Sequence, residues 1–180
     1  MNTASPDLDV TLRDGRTVHL RAVRPTDEAE LLQTFGRMSA DARYMRFMHS
    51  VSEPNLARLR KVLASLAESG IGLVATVPAA DGIDIVGSAV VMLGREAKSG
   101  EFALNVAAPY GAVGLGRTLM TTLIAAAKAR GLEAMEGFVL AENAPMLRLA
   151  ERLGFSVAPD PDDRAVRICR LHLRDPQAET

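Results

Sequence analysis

Gly111-Ala112-Val113-Gly114-Leu115-Gly116-Arg117-Thr118 sits between a strand-like run and a helix with one apolar face. Backbone N–H groups at a helix start have no intrahelical acceptor, and the helix dipole adds about half a positive charge there. A turn of this composition can therefore cradle phosphate oxygens. Arg117 points the same way, because a cation in the first helical turn is misplaced by about 0.3–1 kcal/mol unless an anion sits nearby. The plain alternative is a tight turn with a solvent-facing Arg. Two phosphate motifs fail on the residues themselves. Gly116 is followed by Arg117 where a P-loop needs Lys, and Gly114 and Gly116 lead to Leu119 where the dinucleotide fingerprint needs another glycine. Glu136, about 20 residues on, is that fingerprint's only echo. Asn143 is a strong helix N-cap, with Pro145 in the first turn and Gly154 just past the end. His19, His49 and His172 are dispersed without metal-ligand spacing, so no metal is expected. Cys169 stands alone and reads as a small buried hydrophobe.

The elements that would hold these residues follow from periodicity. Val10 to Arg13 and Thr17 to Val23 flank an Asp14-Gly15 turn and predict a hairpin. Three short helices follow. Asp27 with Glu30 resembles a capping box for the first, Ser39 can cap the second, and Ser52 with Pro54 marks the start of the third. The period then changes to that of strands at Ile71 to Val77, Ile83 to Leu93 and Glu101 to Val106, with Pro78 and Asp81-Gly82 as turn residues. In the last of these, Phe102, Leu104 and Val106 share one face, and Glu101, Ala103 and Asn105 the other. The glycine turn opens a helix to about Arg130, with an apolar face of Leu115, Leu119, Leu123, Ile124 and Ala127. A strand from Met135 to Leu140, the capped helix to Leu153, and strands at Phe155 to Val157 and Val166 to Leu173 complete the chain. The fold class is α+β with a mixed sheet. Residues 10–174 read as one domain, with 1–9 and 175–180 as loose tails. A crossover helix presents its N-terminus at the carboxyl ends of the parallel strands it joins, so the glycine turn falls where open sheets bind ligands.

Composition narrows the partners. The 180 residues are 48% hydrophobic and carry 21 basic against 22 acidic side chains, enough apolar material for one core and no field for nucleic acid. Aromatics are 4% with no Trp, which argues against base-stacking or sugar-binding shelves. No apolar run reaches the ~18 residues of a membrane helix, no signal-peptide core opens the chain, and one cysteine suits a reducing compartment. A cytoplasmic protein without membrane contact is the expectation.

The spacing that does match is the pyrophosphate segment R/Q-x-x-G-x-G/A, and over nearly its whole length the chain resembles the GNAT superfamily of N-acetyltransferases. Asn143-Ala144-Pro145-Met146-Leu147-Arg148-Leu149-Ala150-Glu151-Arg152-Leu153-Gly154-Phe155 is similar to the family's later helix-to-strand segment. Arg24-Pro25-Thr26-Asp27-Glu28, Arg43-Tyr44-Met45-Arg46-Phe47 and Glu101-Phe102-Ala103-Leu104-Asn105-Val106 look most like the acetyltransferase domain of bacterial protein lysine acetyltransferases.

That resemblance implies a splayed sheet with helices on both faces, acetyl-CoA as acyl donor, and acetylation of a primary amine, a protein lysine first. Attack on a thioester needs the amine neutral, and the resemblance implies Glu101 as the base that deprotonates it. It implies a pantetheine arm held by the main chain of Leu104, Asn105 and Val106 and by Asn143. The phosphates would lie on Ala112, Val113, Gly114, Leu115, Gly116 and Arg117. Three positions depart from the pattern. Gly111 replaces the usual Arg or Gln, Ala150 replaces the Tyr that many members use as acid, and Phe138 falls where some relatives place another base. A small amine or amino acid is the alternative acceptor. A non-catalytic acyl-CoA sensor is the alternative from another class.

Overall fold

A computed structural model describes residues 6–93 and 98–174 of the chain. Eight strands form a single sheet in the spatial order β1-β2-β3-β4-β5-β6-β8-β7. The strands are β1 (Asp7–Thr11), β2 (Thr17–Ala22), β3 (Ile71–Ala79), β4 (Gly82–Leu93), β5 (Ser99–Val106), β6 (Ala134–Leu140), β7 (Ser156–Pro159) and β8 (Val166–His172). The helices are α1 (Glu28–Arg37), α2 (Ala40–Phe47), α3 (Leu56–Glu68), α4 (Leu115–Ala129) and α5 (Ala144–Arg152). Neighbouring strands pair antiparallel except β5 and β6, which run parallel and are joined through α4.

The core is aliphatic, as the aromatic-poor composition requires. Leu115, Leu119, Met120, Leu123 and Ala127 of α4 are fully buried against Leu73, Ala75, Ala89 and Val91 of the sheet. Ile124, expected on that face, is only partly buried, and Met120 takes its place. The opposite face carries α3, whose Leu66 lies against Gly70 and Gly72. Helices thus cover both faces.

Several local expectations are corrected. β1 begins at Asp7, so Asp7 to Asp9, expected in a loose tail, pair with Arg21 to His19 of β2. Asp27 makes no side-chain cap bond to α1. Its buried carboxylate takes hydrogen bonds from Arg21 Nη1 and Nη2, both at 2.8 Å, and from the Arg24 N–H at 2.8 Å. α3 is capped by Asn55, whose Oδ1 accepts from the Arg58 N–H at 2.8 Å, rather than by Ser52 and Pro54. Pro78 lies within β3 opposite Ile83, so the turn is Ala80-Asp81 alone. Ser39 does cap α2, accepting from the Ala42 N–H at 3.1 Å. The expected tail residues 1–5 and 175–180 lie outside the described residues.

Candidate acetyl-transfer site

The register of β5 and β6 defines the site. Ser99, Gly100 and Glu101 pair with Ala134, Met135 and Glu136, and there the ladder ends although both strands continue, to Val106 and to Leu140. From Ala103 onward the edge of β5 that faces β6 has no strand partner. A slot opens there, with backbone polar groups that need hydrogen bonds from another source. Leu104, Asn105 and Val106 line it.

At its far end lies the glycine turn. Ala112 and Gly114 both take left-handed backbone geometry, with φ of 61° and 97°. Gly114 carries no side-chain penalty for this; Ala112 does, and strain of that kind collects at ligand sites. Such alternation turns successive N–H groups toward one concavity. The N–H groups of residues 112–117 donate to no backbone or side-chain acceptor among the described residues; the first paired one is Thr118, which returns to Gly114 O at 3.0 Å. Arg117 is exposed beside them. The reading of an anion cradle thus meets a turn whose donors are free.

Close packing joins this turn to the slot. A β-carbon added at Gly116 would lie 3.4 Å from Leu149 of α5 and 3.6 Å from Leu104 and Val106 of β5. Asn143 caps α5 just past β6, its Oδ1 accepting from the Met146 N–H at 3.3 Å. That leaves its amide N–H groups to donate elsewhere. Gly111 has an ordinary φ of −67°, and a β-carbon there would meet only Ala108 O at 3.3 Å. Its conformation therefore does not demand glycine, although a β-carbon would sit tightly against that backbone oxygen.

Two residues near the turn escaped sequence reading. Arg13 donates its N–H to Val113 O at 3.1 Å, and its Nε lies 3.4 Å from where a Gly114 β-carbon would be. Arg16 lies over the Tyr110 ring, 4.0 Å from the centroid, and donates to Pro109 O. Both come from the β1–β2 turn, about a hundred residues away in sequence, so no local signal could reveal them. Tyr110 is half-buried and packs on the core beneath Arg16.

Glu101 is exposed, the third residue of β5 rather than its first. It lies on the sheet face opposite Phe102, which carries α1 to α3. A shallow concavity of about 310 Å³ there is lined by Met92, Leu93, Ser99, Gly100, Glu101 and Glu136. A larger hollow of about 630 Å³ between α3 and the end of α4 holds none of these groups, and its Arg130 is engaged with Gly70 O at 2.8 Å. The smaller concavity is therefore the relevant one. Arg46 of α2 stands close enough for its charge to act on this region. Desolvation and the neighbouring Arg58 push its guanidinium below the ordinary value, and Glu101 opposes the shift.

Residues that the sequence set outside the chemistry can be placed as well. Ala150 is fully buried in the core, so its position presents nothing to the slot. Tyr44 is exposed on α2. His19 sits between Asp7 (2.9 Å) and Asp9 (2.8 Å) on the outer hairpin. Cys169 is buried, and desolvation pushes its thiol up to about 11.

With this geometry in view, comparison with known proteins is specific. The family model described as "Acetyltransferase (GNAT) domain" matches residues 17–156. An acetyltransferase of Pseudomonas aeruginosa is 31% identical over 91% of this chain and 88% of its own. Acetyltransferase Pat of Mycolicibacterium smegmatis is 30% identical over 82% of this chain; the chain spans 44% of that protein's length. Among solved structures, the GNAT domain of S. lividans PAT superposes with a TM-score of 0.81 at 20% identity, covering 92% of this chain and 96% of that one. An acetyltransferase from Salmonella typhimurium, described with its cofactor acetyl-CoA, gives 0.67 at 19% identity, covering 91% and 98%. The chain belongs to the GNAT acetyltransferase family, and it is an N-acetyltransferase of that fold.

Proposed function

We propose that this protein transfers the acetyl group of acetyl-CoA to a primary amine, a protein lysine side chain, by direct attack within a ternary complex. One observation carries the reading. Glu101 lies five residues from Val106 along β5, about 17 Å at a strand's rise per residue, and the free N–H groups of the glycine turn lie beyond that end. A ligand serving both must be elongate, with an anionic end and a reactive end. Acetyl-CoA has that shape: its phosphates fit residues 112–117, its arm fits the slot beside Leu104, Asn105, Val106 and Asn143, and its thioester reaches toward Glu101.

The chemistry then balances. Glu101 takes one proton from the acceptor ammonium, directly or through water. The neutral amine forms the C–N bond at the thioester carbonyl, the C–S bond breaks, and the sulfur leaves as thiolate. The second nitrogen proton is lost as the amide forms and reaches the thiolate through solvent. With Ala150 in place of the family's Tyr, no side chain on that helix turn supplies it, and a thiol of ordinary pKa near 8.5 leaves readily without an acid.

A lysine acceptor is what the resemblance of Arg24-Pro25-Thr26-Asp27-Glu28, Arg43-Tyr44-Met45-Arg46-Phe47 and Glu101-Phe102-Ala103-Leu104-Asn105-Val106 to bacterial protein lysine acetyltransferases implies. Thiol release from acetyl-CoA, measured with a lysine peptide, free amino acids and small amines, tests it. Turnover on the peptide that falls about a hundredfold or more in Glu101→Gln is the expected result. Turnover on small amines alone reassigns the acceptor, unchanged turnover in the variant removes Glu101 as base, and binding without turnover points to a sensor.

A further inference from the structure

Met92, Glu101, Glu136 and Arg170 form one row across β4, β5, β6 and β8, each in register with the next. Register partners share a sheet face, so the two carboxylates stand side by side on the last rung before the strands part. Both line the concavity described above. Like charges directly opposite on adjacent strands repel, and a counter-charge or a cationic ligand relieves that repulsion. Arg170 supplies half of this: its Nη1 donates to Glu136 Oε2 at 3.1 Å. Glu136 Oε1 and both Glu101 oxygens have no hydrogen-bond partner among the described residues, so the rung presents unpaired acceptors. The reaction reading assigns Glu101 a proton transfer and leaves Glu136 without a role.

Resting on the acetyl-transfer reading, we propose that Glu136, oriented by Arg170, is the residue that holds the ammonium group of the acceptor beside Glu101. An alkylammonium carries three N–H donors and matches acceptors contributed by two strands. Division of labour follows. When Glu101 takes the proton, Glu136 keeps its charge, so the nascent amine stays anchored at the mouth of the slot instead of diffusing away. Arg170 on β8 and Arg46 on α2 flank the pair, so the four side chains are balanced without the acceptor, and the anchor is modest in strength. The substrate class is narrowed to amines that are cationic when they bind.

Glu136→Gln isolates the charge, because Gln keeps an oxygen for Arg170 and the position is a third exposed. Binding of Nα-acetyl-lysine methylamide to the CoA-saturated protein, measured by calorimetry, is expected to weaken about fivefold to tenfold in the variant. In turnover, KM for a lysine peptide should rise by the same factor while KM for acetyl-CoA stays and kcat changes much less. Equal binding of the probe by wild type and variant overturns the proposal, as does absence of saturable binding to wild type. So does a matched loss of acetyl-CoA affinity, the mark of a structural role. Weakened probe binding in a protein with no turnover would uphold Glu136 while removing the acetyl-transfer reading.

Discussion

The ring of Phe102 occupies the space where Gly137 would carry a side chain: a β-carbon there would sit 2.5 Å from two ring carbons. These residues follow Glu101 and Glu136, the last paired rung of β5 and β6. The ring also packs edge-on against Phe155 after α5, with centroids 5.1 Å apart. One aromatic side chain thus ties both arms of the opening slot to α5, at the point where backbone pairing stops.

Removing that tie should cost more than area alone. Phe102→Ala deletes a buried ring and is expected to destabilise by about 3–5 kcal/mol. Gly137→Ala forces the ring to move and should cost about 1–3 kcal/mol. Urea unfolding measures both. A Gly137→Ala protein as stable as wild type would mean that the strands can shift freely, and that the slot width is not set by this contact.

The glycine turn makes a separate expectation. Arg13 and Arg117 are the guanidinium groups placed at the free N–H groups, one from the β1–β2 turn and one from α4. Arg13→Ala should raise KM for acetyl-CoA about threefold to tenfold with kcat retained, and the difference should shrink as salt rises. Its backbone bond to Val113 survives the change, so the turn keeps its shape. A KM that is unmoved at low salt would place Arg13 outside the phosphate site.

How far this site was legible depends on whether its determinants are local. The glycine turn, the Asn143 cap and the alternation of β5 are local patterns, and each stands where the residues predict it. Asp27 is the instructive failure. Its spacing to Glu30 mimics a capping box, but Arg21, fixed on β2, offers two hydrogen bonds at a buried position and outcompetes the helix N-terminus. The placement of Arg13 beside the glycine turn and of Glu136 beside Glu101 was not legible for a related reason. One arrives through the hairpin and the other through strand register, and register is set by the fit of whole faces, to which no short window has access.

The Arg21–Asp27 pair itself couples folding to acidity. Burial acts to raise the Asp27 carboxyl, but the Arg21 hydrogen bonds, the Arg24 N–H and the two guanidinium charges hold it below its ordinary value. A carboxyl depressed in the folded state contributes stability that is present above its unfolded value, about 4, and is lost as pH falls through the folded one. The melting temperature of wild type should therefore fall below about pH 4, and this component of the slope should vanish in Asp27→Asn. That variant leaves Arg21 buried without its counter-ion, so at neutral pH it should lose about 3 kcal/mol or more. A neutral-pH stability equal to wild type would show that water reaches Arg21 in its place.

Cys169 makes the last expectation, because the core and the chemistry make opposite demands on a thiol. It lies on β8 opposite Gly137, with no exposed surface, and desolvation followed by the nearby Glu151 charge pushes it up to about 11. The thiolate is the reactive form, so at neutral pH little of it exists, and what exists is shielded. Alkylation by iodoacetamide should proceed at the rate of local opening, far below that of a free thiol, and should accelerate sharply in urea near the unfolding midpoint. Cys169→Ala should keep acetyl transfer within about twofold while costing about 1 kcal/mol of stability from the lost packing. Fast labelling of the native protein, or loss of turnover in the alanine variant with stability intact, would bring this thiol into the chemistry from which its burial excludes it.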